Sequence, residues 1–492
     1  MITERQREMN NQLNDFLKSD YTKWGDRPYL HEFCDDGFTT ETYGQFIEDV
    51  NYFAAYLINK GYKGKSIGIY SPNSIAWCIF DIAVMNYVGM SVGLSKEWTS
   101  DNLLYAIDKC DIVCLFYGKA LEEKVNAIKD KFPGTEFVCI EDEWDNCIAE
   151  GKALTTGLFM LEPKDPDVPA KVVFTSGTTS FPKAVMLSIR NVFSGYASLC
   201  RRVQIVPEDI CYLFLPLNHT YGSIYNFIYS LGTGYEIYLS RDTSKMAQEI
   251  MTVRPTVFSA VPLVYMKFYE GAKAMGITLK MILGGRMRYT FCGGARLAPE
   301  IRDQYMAEGF YLMNAYALSE TSSGFSIDYP GDEILDSVGT LFEDVDACVK
   351  DPDEEGWGEL AIKGDNIFKG YYKDEESTKA AFSDDGYFLT GDIGKIENNH
   401  VYVRGRKDTR ITLINGENIS TNLIAERVRK LSDSVVHVKV YIQNEYLTCD
   451  IYVKANAMGE DWDAKIEDLN NNVPKFERVM RYNIKDSREL LK

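Results

Sequence analysis

The segment Thr175–Lys183 (TSGTTSFPK) carries the residue types that hold a phosphate group. Glycine lets a backbone approach an anion closely, and hydroxyls and amides donate to its oxygens. Lys183 ends the run with a mobile positive charge. The Walker A spacing of glycines before Lys-Ser/Thr cannot be placed on it. Taken alone, a Ser/Thr/Gly run before a proline also describes an ordinary surface loop. Its companions decide between the two.

Those companions lie downstream. Gly293 and Gly294 in FCGGARLAPE suit a tight turn or a close backbone approach to a nucleotide. Tyr316, in YALSET, offers a flat ring for stacking on a base, or simply one more core tyrosine. Glu320 is a hard oxygen donor or a solvated helix-start carboxylate. Asp392, after Thr390 and Gly391, caps a turn or accepts hydroxyls, and Arg406 in RGRKD is a surface charge or a ligand contact. His219 in LPLNHTYG is a satisfied core histidine or a group near a substrate.

The elements that position these residues alternate. KSIGIYSP reads as a strand, SIAWCIFDIAVMNYVG as a helix, MSVGLS as a strand, NLLYAIDKC as a helix and IVCLFY as a strand. The rhythm returns at GYEIYLS, TVFSAVP and RYTFCGG, with helix-like runs such as PLVYMKFYEGAKAM between. Such alternation predicts layered α/β subdomains with mostly parallel sheets. Beyond about residue 330 the strands shorten and Gly/Asp turns separate them, which predicts a small antiparallel sheet or barrel. ITLINGENIS reads as two strands around an Asn415–Gly416 turn, and the last 80-odd residues alternate helix and strand. A boundary at Asp408 separates a large domain, 1–407, from a small α+β domain, 408–492.

Bulk properties narrow the function classes. With 492 residues the chain exceeds one simple core. Hydrophobic residues at 45% and charged residues at 25% are ordinary for a globular protein. The net charge of −19 disfavours nucleic acid or an anionic membrane as the main partner. Eleven scattered cysteines and four distant histidines form no zinc pattern, and Cys110 and Cys114 flank an apolar strand, which predicts core packing. A reducing cytoplasm fits. The N-terminus has no apolar leader, and the apolar stretch Ile75–Leu94 contains Asp81 and Asn86, so it reads as buried structure and not as an integral membrane segment.

Taken together and in order, TSGTTSFPK, LPLNHTYG, FCGGARLAPE, YALSET, YFLTGD and RGRKD resemble the motifs of the acyl-CoA synthetase, adenylation-domain and luciferase superfamily of AMP-forming enzymes. The likeness runs from about residue 25 to the end, and its texture is most similar to the fatty acyl-CoA ligases. It implies a large N-terminal domain joined by a hinge to a small mobile C-terminal domain. It also implies ATP, Mg²⁺ and CoA as the small molecules used. On this resemblance Thr175, Ser176, Gly177, Thr178, Thr179 and Lys183 cradle the phosphates. Gly293, Gly294, Ala295, Tyr316, Ser319 and Thr321 face the nucleotide, and Glu320 binds Mg²⁺. Asp392 and Arg406 hold the ribose, and His219 lies near the substrate carboxylate. Asp408 is the hinge, and Gly416 borders the thiol tunnel.

The implied reaction activates a hydrophobic carboxylic acid as an acyl-adenylate and passes the acyl group to CoA. A carrier-protein phosphopantetheine is the alternative acceptor, and a weakly active nucleotide-binding relative is the alternative from another class. No acid follows the LPL segment to hold an α-amino group, which disfavours an amino-acid substrate. Ser180, Ala184 and Ala317 stand where the family usually has glycine. The sequence ends at Lys492 before the family's C-terminal lysine motif, and a shortened chain is the expected reason.

Overall fold

The computed structural model describes residues 13–34, 37–175, 182–295, 297, 299–322, 324–332, 334, 336–407, 410–412, 418–443, 446–473 and 477–491. The chain divides into two compact units, one running to Asp346 and including Ile362–Phe388, the other formed by Ala347–Ala361 and the chain from Leu389.

The first unit is built on two sheets of the kind the βα rhythm predicts. One has the strand order Glu136–Cys139, Ile112–Tyr117, Ser66–Tyr70, Met90–Gly93, Pro169–Thr175, Lys183–Ser188. All neighbours are parallel except the last pair, a hairpin. Its strands are apolar on both faces, as a sheet covered on both sides requires. In the other sheet the strands Pro28–Cys34, Glu236–Leu239, Ile210–Leu213, Val257–Ala260, Tyr289–Cys292 and Leu312–Tyr316 lie parallel in that spatial order. Antiparallel strands border this run, Gly37–Thr42 on one side and Ser326–Ile327 on the other.

Helix Tyr43–Asn59 shows why these segments fold as they do. Phe46, Ile47, Val50, Phe53, Ala54 and Leu57 recur at helical spacing, and all are buried. Thr42 and Gln45 form a reciprocal capping box that fixes its start, worth about 1 kcal/mol. Gly151 lets helix Ile140–Leu154 lie against it, because an added Cβ would stand 1.9 Å from the Tyr52 carbonyl oxygen. Helix Ile75–Ala83 is capped by Ser74 and continues as a π-helical turn over Val84–Val88, so the single predicted helix has two parts. Cys110 and Cys114 are buried as core residues, and all eleven cysteines are free. No helix among the described residues is long and apolar enough to cross a membrane.

Strand Pro169–Thr175 is pinned from behind. Lys171 Nζ donates to both Asp81 oxygens at 2.8 and 2.6 Å, and Ser91 Oγ donates to the same carboxylate. Both charged side chains are buried, so removing either partner would strand the other, at a cost of about 3–5 kcal/mol.

The second unit contains the antiparallel hairpin Phe388–Glu397 and His400–Arg406, turned at Asn398 and Asn399, both at positive φ. A short antiparallel pair, Arg410–Thr412 with Asn418–Ser420, comes next. Helices Thr421–Arg429 and Trp462–Asn471 then pack with a sheet of Val435–Gln443, Tyr446–Val453 and Arg481–Asp486 around Ile424, Val428, Ile451, Trp462 and Ile466.

Candidate active site

In the hairpin that carries the predicted phosphate loop, Thr175 and Lys183 are direct partners across the ladder. Ser176, Gly177, Thr178 and Thr179 lie outside the described residues. Lys183 extends over the ring of Tyr371, with Nζ 4.7 Å from the centroid, a cation–π contact. The Tyr371 hydroxyl in turn donates to Glu320 Oε1 at 2.9 Å. The pattern of sequence motifs missed Tyr371, and nothing in KGYYKD distinguishes it from the other tyrosines.

Tyr371 is held by a strap that ties two site elements together. Lys369 and Tyr372 donate backbone N–H bonds to Met186 and Ala184 on the hairpin, and Met186 returns one to Gly370. Phe368 donates to the Glu320 carbonyl at 2.9 Å. Gly370 sits at φ +119, where a side chain would be strained and would meet Thr378 at 2.9 Å.

Glu320 lies in the 3₁₀ turn Ser319–Thr321. Thr321 is buried, and its hydroxyl accepts from Leu318 N and donates to Leu318 O, so it closes the turn. Ser319 accepts the backbone N–H of Ser322, which adopts φ +51. The second oxygen of Glu320 has no protein donor among the described residues, which suits a hard cation. No group of three or more potential metal ligands occurs among them. One carboxylate fits Mg²⁺, which takes one or two carboxylates and completes its shell with phosphate oxygens and water.

The glycine pair Gly293–Gly294 leaves the end of strand Tyr289–Cys292. An added Cβ on Gly293 would lie 3.4 Å from the Ala315 carbonyl and 3.5 Å from the Tyr221 ring, so the turn abuts the strand that carries Tyr316. Tyr221 fixes this end of the sheet, donating to Phe291 O at 2.9 Å. Ala295 is exposed beside the turn. The Tyr316 ring meets Phe325 edge-on at 4.8 Å. Gly324, at φ +77, folds the Glu320 turn back on this strand, because a Cβ there would stand 2.6 Å from the Tyr225 hydroxyl and 3.2 Å from Tyr316 O.

Tyr225 also lines a cavity of about 360 Å³, walled by Tyr196, Leu199, Val203, Tyr229, Val257 and Phe291 among others. Its wall includes Phe291, two residues before the glycine turn, and Ser259, the partner of Phe291 on the neighbouring strand. The segment Val203–Val206 also lines it. Asp209 clamps that segment, accepting from Val206 N at 2.9 Å, while Arg288 Nη1 donates to both Asp209 oxygens at 2.7 and 2.6 Å. The cavity wall is mainly apolar and aromatic, with Gln204, Asn226, Thr233 and Ser259 as polar members. Such a lining suits an apolar ligand segment.

His219 precedes the π-helical turn Tyr221–Phe227, whose residues include Tyr221 and Tyr225. Its ring is reachable by solvent but closely flanked by protein, and that desolvation holds its pKa below the usual histidine value.

In the second unit, Asp392 and Arg406 are direct cross-strand partners, with Nη1 3.4 Å from Oδ1. Asp392 is buried, and Arg406 also donates to Thr390 O at 3.0 Å. Gly391 N donates to Glu359, whose other oxygen pairs with Lys407 at 2.6 Å. Asp408 and Gly416 lie outside the described residues.

The chain matches the model of the AMP-binding enzyme family over residues 17–372. It is 28% identical over 472 residues to the long-chain-fatty-acid–CoA ligase 5 of Rattus norvegicus, covering 81% of this chain and 68% of that one. It is 25% identical over 491 residues to the peroxisomal long chain acyl-CoA synthetase 7 of Arabidopsis thaliana, covering 86% and 70%. The fold superposes on the ATP-bound crystal structure of MatB from Rhodopseudomonas palustris with a TM-score of 0.83 at 23% identity, covering 96% and 95% of the two chains.

Proposed function

Because the chain belongs to the AMP-binding enzyme family, we propose that it is an AMP-forming ligase that joins a fatty acid to CoA through an acyl-adenylate. The observation that carries this reading is the mainly apolar cavity whose wall includes Ser259 and Phe291, the latter two residues before the Gly293–Gly294 turn. The curated relatives named above are fatty-acid–CoA ligases, which favours CoA over a carrier protein as acceptor.

In the first half-reaction a carboxylate oxygen attacks the α-phosphorus of ATP, the bond to the bridging oxygen breaks, and pyrophosphate leaves. Lys183 supplies positive charge where negative charge accumulates, from a backbone position set by the hairpin. Glu320, oriented by Tyr371, would hold Mg²⁺, which when bound neutralises phosphate charge. His219 is assigned by its motif to the acid carboxyl, and desolvation that lowers its pKa favours the uncharged ring there. Tyr316 and the glycine turn receive the adenine, and Asp392 with Arg406 the ribose. In the second half-reaction the CoA sulfur attacks the acyl carbon and AMP departs with its phosphate oxygen. Asp408 is the proposed hinge between the two steps, and Gly416 the proposed border of the thiol path. Eleven free cysteines fit a reducing compartment, and we place the chain in the cytoplasm.

Pyrophosphate release measured across acids of increasing chain length, with and without CoA, tests the reading. Release that rises with chain length and is accompanied by thioester formation is expected. Release with no thioester from any fatty acid would remove CoA as the acceptor.

A further inference from the structure

Strand Lys183–Ser188 runs directly into the short helix Ile189–Phe193, and Asn191 stands at the third position of that helix. Its side chain closes a capping box with Ser188. Asn191 Oδ1 accepts from Ser188 N at 2.8 Å, and Asn191 N donates to Ser188 Oγ at 3.2 Å. Capping needs only the side-chain oxygen, which glutamate or glutamine usually supplies at this position. The amide nitrogen is surplus to the cap, and both of its hydrogens are used elsewhere. Nδ2 donates to Asp365 O at 2.7 Å and to Ile367 O at 2.9 Å. Asn191 is buried, and turning the amide over would set its oxygen against two carbonyls, so its orientation is forced.

Those two carbonyls lie at the start of the strap that carries Tyr371. The same stretch is tied to the Glu320 turn by other bonds. Asn366 Nδ2 donates to Gly324 O at 3.0 Å, and Phe368 N donates to Glu320 O at 2.9 Å. Asn191 therefore joins the end of the Lys183 strand to the segment that presents Tyr371 to Glu320. An outer contact links the same parts. Asp167 accepts from Arg190 at 2.6 and 2.8 Å and lies 3.7 Å from Lys369 Nζ. The Asp167 side chain is 48% exposed, where ion pairs contribute little, so the buried amide carries the connection.

We propose that Asn191 is a positioning residue for the adenylation site. It is a latch that fixes the strap, and with it the Tyr371 hydroxyl on Glu320 and the Tyr371 ring under Lys183; the chemistry it serves rests on the ligase reading. Loss of both amide donors leaves two carbonyls unpaired, and the strap relaxes away from the end of the hairpin. Glu320 then loses its orienting hydroxyl, the kind of outer partner that tunes the affinity of a metal ligand.

Asn191→Asp tests this, because it keeps an oxygen for the cap and removes both donors to the strap. Hydrogen exchange of the full chain without nucleotide should show the Phe368, Lys369 and Tyr372 amides exchanging about tenfold faster or more in the variant. Titration of ATP binding with Mg²⁺ should show half-saturation raised about tenfold. Adding Tyr371→Phe should raise it little further, since both changes act through one hydroxyl. Ser188→Ala weakens the cap alone, so it should lower the urea midpoint and keep the Mg²⁺ half-saturation within about twofold of the parent. If Asn191→Asp does not fold, Asn191→Ser is read in the same way. Unchanged exchange at the strap amides, a Mg²⁺ dependence like that of the parent, or a shift fully additive with Tyr371→Phe overturns the proposal. Failure of the ligase reading would show differently, as no Mg²⁺-dependent ATP binding in the parent, and the exchange measurement decides the latch even then.

Discussion

The Tyr371 hydroxyl donates to Glu320 Oε1 at 2.9 Å, while the face of the same ring carries Lys183 Nζ at 4.7 Å. One side chain thus aligns both the candidate metal carboxylate and the candidate phosphate lysine. Lys183→Ala should cut pyrophosphate release by about a hundredfold or more with little change in folding. Tyr371→Phe keeps the ring under Lys183 but removes the donor to Glu320, and it should raise the half-saturating Mg²⁺ concentration about tenfold. Equal Mg²⁺ dependence in parent and variant would deny Glu320 the metal role.

Gly324 is a close-packing point between the strand that ends at Tyr316 and the cavity residue Tyr225. Gly324→Ala sets a methyl 2.6 Å from the Tyr225 hydroxyl at φ +77, and should destabilise by about 1–3 kcal/mol. Adding Tyr225→Phe removes the clashing oxygen and should restore part of the loss. Urea denaturation of the two single variants and the double variant reads the coupling.

Cavity depth should set chain-length preference. Val206→Trp fills space in the cavity at the wall held by Asp209, so activity on the longest acids should fall about tenfold or more, with short acids little affected. A uniform loss across all lengths would place the chain elsewhere.

Asp20 gives a pH signature. It is buried, accepts from Gly232 N at 2.7 Å, and has one oxygen without a partner among the described residues. Burial raises its pKa from 3.8 to about 7. Between those values the native state holds a proton the unfolded state has lost, so this group's contribution to stability falls as pH rises through that window. Asp20→Asn, which keeps the bond to Gly232, should gain on the parent between pH 5 and 8, by up to about 4 kcal/mol at the upper end. A constant difference across this range would refute the assignment.

Local signals were legible and long-range ones were not. The strand Ser66–Tyr70 and the helix Ser100–Lys109 follow from apolar spacing within their own segments, and the structure has both. Gly293 could be read as a close-approach site because its chemistry is backbone chemistry. Tyr371 could not, because its importance lies in partners 51 and 188 positions away, Glu320 and Lys183. The π-helical turn at Tyr221–Phe227 shares the apolar pattern of an α-helix, so periodicity does not reveal it. Net charge was least informative locally, since −19 over the chain conceals the basic stretch from Arg254 to Arg288.

The pairing of Thr175 with Lys183 has a further consequence. A ladder that closes both ends of a loop meets the loop-closure entropy itself, and that cost grows only with the logarithm of length. Lys183 therefore takes its backbone position from the strand register, and Ala184 behind it buries its methyl in the core instead of needing the freedom of glycine. A one-residue slip in that register would turn Lys183 to the opposite face of the sheet, so the two strands are constrained along with the phosphate motif they flank.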